Sequence, residues 1–467
     1  MSLRETKMIL KFLGGVRTVT GSCFYIECNK LKILVESGMY QGDGADEVNR
    51  AAFDFKPEEI DYIFITHAHL DHSGMLPRIV REGFRGRIIA TSATRDLLEL
   101  MLYDSANIQE SDSEWLTRKA ARAGRPPVLP LYTVDDVKEV LPLFDVKPYD
   151  QIFHLGSGIK YTFFDAGHIL GSGTLELWFL DGEKEKKVVF SGDIGKKGNP
   201  IVRDPFAPPQ SDFVLMESTY GNRLHKPLKE SIDELVDAIK ITFKKGGNVF
   251  IPSFAVGRTQ DLLYILNNLV RDGRLYRIDV YLDSPLAEDA TKVYLAHPEC
   301  FDEDARKFFT TKNFDNSIKL HFVQTVQESM ALNRIKSGIV VIAGSGMCEG
   351  GRIKHHLKHN LWRPECSVIF VGFQGKGTLG RRIVDKAKFV DILGEEIAVR
   401  ASVYTINGFS AHADQAELIE WLSHFKDSPE VFIVHGEEDV EISFAELVKG
   451  KFGFVTHIPK RGEVFEL

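Results

Sequence analysis

Seven residues, THAHLDH at positions 66–72, constrain this chain more than any other stretch. They place three of its 15 histidines and an aspartate within six positions. Imidazole is a poor core group and a moderate surface group. Several imidazoles beside a carboxylate are instead nitrogen and oxygen ligands suited to a borderline divalent ion such as zinc. The preceding IDYIFI is apolar except at its start and reads as a buried strand. The cluster therefore sits at a strand end, where α/β sheets place their sites. SGMLPRIVREG follows, with a serine, Ser73, in a capping position and apolar residues at helical spacing. The spacing predicts strand, ligand-bearing turn and helix in that order.

At 467 residues the chain is long for one core, and two domains are expected. Hydrophobic content of 43% and charged content of 27% are ordinary for a globular protein. No run approaches the roughly 20 apolar residues that span a bilayer, and the opening MSLRETKMILKF lacks a signal-peptide core. The five scattered cysteines form no CxxC and read as buried thiols of a reducing, cytoplasmic setting. A net charge of −8 argues against nonspecific coating of nucleic acid by the whole surface, while a local basic groove stays open.

Residues 8–36 read as short strands separated by turns, and strand and helix patterns then alternate. A charged segment near 107–130 reads as a helix followed by an extended lid or connector. After the proline-rich DPFAPPQ the pattern lengthens: GGNVFIPSF precedes VGRTQDLLYILNNLV, and SGIVVIAGSG precedes EGGRIKHHLKHN. That alternation predicts a mainly parallel sheet with helices on its faces. From about 399, the strand AVRASVYTI is read as opening a last block of short strands.

A dinuclear metal site needs about eight ligand contacts, and THAHLDH offers four. His168 in DAGHILGSG, Asp193 in VVFSGDIG and His435 in VFIVHGEED each follow a short apolar strand and abut a glycine or a turn. Singly each is unremarkable. Their shared context marks places where ligands can converge.

This series (HxHxDH, then GH, SGD and HGE) resembles the metallo-β-lactamase fold. MESTYG, PSFAVGRTQDLL, DSPLA, GSGMCEGG, GFQGKGTLGRR and FSAHAD resemble its β-CASP branch, which includes the cleavage and polyadenylation endonuclease and its bacterial and archaeal ribonuclease relatives. The resemblance implies an αββα sandwich, residues 1–210 and 399–467, with an inserted α/β β-CASP domain at 211–398. It implies that His67, His69 and His168 hold one zinc, that Asp71, His72 and His435 hold a second, and that Asp193 bridges them. A hydroxide between two such ions can attack a phosphodiester in line. The family has aspartate at the end of the third strand, where ILVESG supplies Glu36; the resemblance makes that residue a support behind the ligands.

The resemblance also makes His412 of FSAHAD the proton donor, oriented by Glu217, and counts Asp71 with them among the catalytic residues. GSGMCEGG ends a strand and opens a helix, so backbone N–H groups there, with Ser345 and Gly346, can face a phosphate. From Arg352 to Lys388 there are nine Lys or Arg against two acids, and Arg352, Lys376, Arg381 and Arg382 are taken as substrate contacts. His355, His356 and His359 are expected to flank the same groove. In the family, histidine at the HGE position accompanies RNA substrates, so His435 implies single-stranded RNA. The sequence ends at HIPKRGEVFEL, which is read as favouring an endonuclease over the related 5′-exonucleases with their added C-terminal domain. A small-molecule metallo-hydrolase and a silent RNA-binding subunit are the alternatives, and a homodimer is left open.

Overall fold

The computed structural model describes residues 8–42, 44–181, 184–310, 317–372, 374–375 and 377–467. It divides into two compact units. The first comprises Met1–Lys197, Arg203–Leu224 and His412–Leu467; the second comprises Gly198–Val202 and His225–Ala411.

The first unit holds two seven-stranded sheets. One runs in the order Val464–Glu466, Ile9–Gly14, Cys23–Cys28, Leu31–Val35, Tyr62–Phe64, Arg87–Ala90, Phe144–Val146. The other runs Thr456–His457, Glu430–Val434, Phe213–Glu217, Lys184–Phe190, Gly173–Asp181, Ile159–Asp165, Phe153–Gly156. Alternate side chains of both sheets enter one shared core, with Phe12 against Phe432 (5.4 Å between centroids) and Phe64 against Tyr161 (4.9 Å). The outer face of the second sheet is covered by the helices Gln415–Leu422 and Glu438–Phe452. The expected two-sheet sandwich with outer helices is what forms.

The second unit is built on a six-stranded, wholly parallel sheet: Lys319–Phe322, Asp279–Leu282, Ile339–Ala343, Val249–Pro252, Ser367–Phe370, Ser402–Thr405. Its two faces bury separate apolar cores, one under the helices Leu228–Lys244 and Arg258–Arg271, the other under Arg352–Asn360 and Leu379–Val384. Because both faces are covered, strands such as IVVIA are apolar throughout.

Three expectations change. The boundary at 210 is too early, because Phe213–Glu217 pairs in parallel with both Lys184–Phe190 and Glu430–Val434 in the first unit. The boundary at 399 is also too early: Ser402–Thr405 pairs with Ser367–Phe370 at the edge of the six-stranded sheet, and the chain returns at His412. Edge pairing leaves no mark on composition. Finally, Ser73 is not a cap. It ends the short helix Leu70–Ser73, donating its hydroxyl to the carbonyl of His69 (2.8 Å), and the next helix is Leu76–Arg81.

Candidate metal centre

Strand ends assemble the site within the first unit. Lys184–Phe190, Phe213–Glu217 and Glu430–Val434 are parallel neighbours, so Asp193, Glu217 and His435 emerge side by side at their C-terminal ends. Ile159–Asp165 delivers His168, and Tyr62–Phe64 in the facing sheet delivers His67, His69, Asp71 and His72. Gly195 shows how tightly these loops approach: a Cβ there would lie 1.8 Å from the carbonyl oxygen of Gly167, beside His168.

The donor atoms form two linked groups. His67 Nε2 and His168 Nε2 lie 3.1 and 3.3 Å from His69 Nδ1, and 3.4 and 3.5 Å from Asp193 Oδ2. The other carboxylate oxygen, Asp193 Oδ1, lies 3.3 Å from His72 Nε2 and 3.6 Å from His435 Nε2. Asp71, His72 and His435 also bring one donor each within 4.8 Å of one another. Tetrahedral zinc with nitrogen at ~2.0–2.1 Å sets neighbouring ligand atoms about 3.3 Å apart, close to these spacings. The buried atoms His72 Nε2 and Asp193 Oδ1, which face each other in the cluster, make no hydrogen bond. Buried polar atoms without partners are costly, and these are what a cation would satisfy. The residues fit a bound metal.

Protonation follows burial and neighbours. Burial depresses His67 to about 4 and His69 to about 3, and pushes His168 and His435 down as well. Neutral imidazole is the ligating form. Burial also opposes a charged His72, but the Asp193 and Glu36 carboxylates override it and hold the ring well above its ordinary value. Burial pushes Glu36 upward against the pull of His72. Outer partners orient the rings: Ser22 Oγ lies 2.8 Å from His435 Nδ1, Thr66 Oγ1 3.1 Å from His67 Nδ1, and Glu36 Oε1 3.5 Å from His72 Nδ1. Glu36 thus lies against the His72 ring on the side away from Asp193. Ser22 was not anticipated, since 413 residues separate it from His435. Thr66 was available as the first residue of the motif.

His412 sits beside this group on an isolated bridge to Gly195. Its Nδ1 lies 3.3 Å from Glu217 Oε1 and 3.9 Å from Asp193 Oδ2. Glu217 is fixed in turn, its Oε1 accepting from the Ile194 N–H at 2.7 Å and its Oε2 from the Thr219 N–H at 3.2 Å. Burial disfavours a charged His412, but the carboxylates of Glu217, Asp193 and Asp71 together outweigh it and raise the ring to about 9.

Comparison with known proteins agrees with this geometry. The metallo-beta-lactamase superfamily profile matches residues 16–241, the Beta-Casp domain profile 259–383, and the Zn-dependent metallo-hydrolase RNA specificity domain profile 396–459. Ribonuclease TTHA0252 of Thermus thermophilus is 39% identical over 93% of this chain and 94% of its own. The chain belongs to the β-CASP branch of the metallo-β-lactamase superfamily. Transcription termination factor FttA of Pyrococcus abyssi is 32% identical over 97% of this chain and 70% of its own. An RNase J-like protein of Methanocaldococcus jannaschii is 29% identical over 98% and 100%. A crystal structure of a protein of unknown function from Enterococcus faecalis shares the fold, with a TM-score of 0.59 and 12% identity over 99% of this chain and all of its own.

The β-CASP residues taken as substrate contacts lie in the second unit and behave unequally. Ser345 and Gly346 belong to a loop that folds on itself: the Ser345 N–H donates to the Gly350 carbonyl (3.2 Å), the Gly350 N–H to Ser345 Oγ (3.2 Å), and Gln374 Nε2 to the Gly346 carbonyl (3.0 Å). Arg352 is engaged internally. Its guanidinium donates to Asp283 Oδ1 (2.6 Å) and to the carbonyls of Val323 and Gln324 (2.8 and 2.7 Å). His356 is likewise fully buried rather than lining a groove, with Nε2 2.6 Å from Asp283 Oδ2. Ser329 donates to the same oxygen. Burial pushes Asp283 upward, and these hydrogen bonds override it and hold the carboxyl below its ordinary value. Arg381 pairs through Nε with Asp385 at 2.9 Å on a side chain that remains 39% exposed, and Arg382 reaches the Asp391 carbonyl at 3.4 Å. Lys376 lies outside the described residues.

This contrast separates two variants. Arg352→Ala should lower stability by about 1–3 kcal/mol, the cost of leaving a buried partner under-satisfied, read as an earlier midpoint in chemical denaturation. Replacing Arg381 and Arg382 by alanine should leave the midpoint within error, because an exposed pair contributes little. The opposite ranking would show that Asp283 does not depend on Arg352.

Proposed function

We propose that this protein is a zinc-dependent ribonuclease that hydrolyses phosphodiester bonds within single-stranded RNA. In this reading the first unit is the metallo-β-lactamase portion and the second is the inserted β-CASP portion. His67, His69 and His168 would hold one ion, Asp71, His72 and His435 a second, and Asp193 would serve both. The divided carboxylate of Asp193, with each oxygen facing a different pair of imidazoles, carries the proposal. RNA as the substrate follows from the names of the relatives, a ribonuclease and a transcription termination factor. It is also supported by the RNA specificity profile, whose span includes His412 and His435.

Bound zinc supplies Lewis acidity, lowering the pKa of water and offsetting phosphate charge. The chain's residues do the rest. Glu36, Thr66 and Ser22 hold ligand rings in orientation, and Glu217 holds His412 while favouring its protonated form. His412 would then protonate the departing oxygen. Its Nδ1 faces Glu217, so Nε2 is the atom assigned to deliver the proton. Arg381 and Arg382 would contribute to holding the RNA backbone.

Metal analysis of purified protein should give two zinc ions per chain at saturation. Internally and terminally labelled single-stranded RNA should yield internal fragments, abolished by chelator and restored by zinc. One ion at saturation would remove the dinuclear assignment, and release of mononucleotides alone would make the enzyme an exonuclease. Binding without cleavage in the zinc-loaded protein would make it a silent RNA-binding subunit. Alanine at Arg381 and Arg382 should weaken RNA binding and flatten its salt dependence, because fewer counterions are released. An unchanged salt slope would show that neither arginine touches RNA.

A further inference from the structure

The helix Ser92–Arg122 is 31 residues long, and its packing is uneven. Its buried side chains run from Ala93 to Ala106, with Ser113 the only later one. Beyond that point large apolar groups face water: Ile108 is 53% exposed, Trp115 56% and Leu116 38%. Leu129 is 69% exposed, on a segment that Val128 ties back to the helix through the Thr117 hydroxyl. Ile108, Asp112, Trp115, Lys119 and Arg122 recur at steps of four, three, four and three, so they form one stripe along the helix.

Charge along this stretch is sorted by sign. Glu110, Asp112 and Glu114 precede Trp115, whereas Arg118, Lys119, Arg122 and Arg125 follow it. Among the described residues none of these seven is in an ion pair; Lys119 lies over the Trp115 ring at 5.3 Å. The pattern is self-complementary in only one direction. Laid parallel, two copies would set acid on acid and base on base. Laid antiparallel, each acidic half meets a basic half.

We infer that this stripe is a self-association surface, whose occupant is the same helix of a second copy of this chain, antiparallel about a twofold axis near Trp115 and Leu116. An isologous contact of this kind repeats every pairing. Asp112 of each copy meets Lys119 of the other, Glu114 lies near Arg118, and the Trp115 and Leu116 side chains pack together at the axis. From Ile108 to Arg122 the stripe is about 21 Å long at 1.5 Å per residue. Such a patch is at the small end of specific interfaces, so the dimer is weak, with a dissociation constant on the order of micromolar.

Sedimentation velocity on the full chain over roughly 1–100 μM should show a concentration-dependent dimer that loosens with salt. Trp115→Glu should be monomeric throughout. The triple reversal Arg118→Glu, Lys119→Glu, Arg122→Glu and the double reversal Asp112→Lys, Glu114→Lys should each be monomeric alone and dimerise when mixed. All these side chains are at the surface, so circular dichroism and metal content should match the parent chain. A parent chain that stays monomeric to the top of that range overturns the inference. So does a dimer that survives Trp115→Glu, since it must then use another face. If the triple reversal weakens RNA binding and leaves the dimer intact, the stripe is an RNA contact and the inference fails.

Discussion

Asp193→Ala should lose zinc from both positions together and lose RNA cleavage with it. Each carboxylate oxygen faces a different pair of imidazoles at 3.3–3.6 Å, so one substitution removes a donor from both groups. Removing a partner that only orients a ligand costs about 10–100-fold in metal affinity or activity. Losing the shared donor should cost more than that, whereas Glu36→Ala should fall within it. Equilibrium dialysis against a zinc series, beside a cleavage assay at saturating zinc, measures both. A variant that keeps one tightly held ion would show that the two groups are independent and that Asp193 serves only one of them. Circular dichroism must match the parent chain, because Asp193 is 2% exposed and the loss of a buried charge beside His72 alters the cluster itself.

His412→Ala should keep both ions and slow cleavage by about 10²–10⁴-fold, the usual contribution of a positioned proton donor. Its Nδ1 lies nearer Glu217 Oε1 (3.3 Å) than Asp193 Oδ2 (3.9 Å), so the proposal makes it a proton donor rather than a ligand. Glu217→Gln should do less harm, since it removes the charge that favours the protonated ring and keeps a hydrogen-bond acceptor beside it. An RNA analogue with a much better leaving group should recover much of the rate in His412→Ala and none of it in Asp193→Ala. Loss of a zinc from His412→Ala would make the residue a ligand, an arrangement its closeness to Asp193 and Glu217 also permits. A barely altered rate would mean that solvent protonates the leaving oxygen.

The candidate ligands were legible because chemistry and position coincided. His67, His69, Asp71 and His72 are packed into one turn, and His168, Asp193 and His435 each follow a short apolar strand, so residue type and element pattern together marked them. The basic block was less legible, for the opposite reason. Counting charge between Arg352 and Lys388 says nothing of where each guanidinium ends. Arg352 ends on Asp283, which is buried with His356 and Ser329 and lies 69 residues earlier. The two boundaries moved because strand pairing is long-range: Phe213–Glu217 has two parallel neighbours in the first unit, and Ser402–Thr405 closes the edge of the second.

What the sequence alone determined is local and periodic. It specified the strands and helices through apolar spacing, the parallel α/β character of the second unit, and the donor types fit for a divalent ion. What only the tertiary structure decided is which donors share a neighbour and which charges are already taken. Asp193 stands between two groups of imidazoles because three parallel strands bring their ends together, and Ser22 reaches His435 across 413 residues. Distances of that kind depend on the packing of two sheets around a common core, and a linear pattern records the faces that pack without recording what each face will meet.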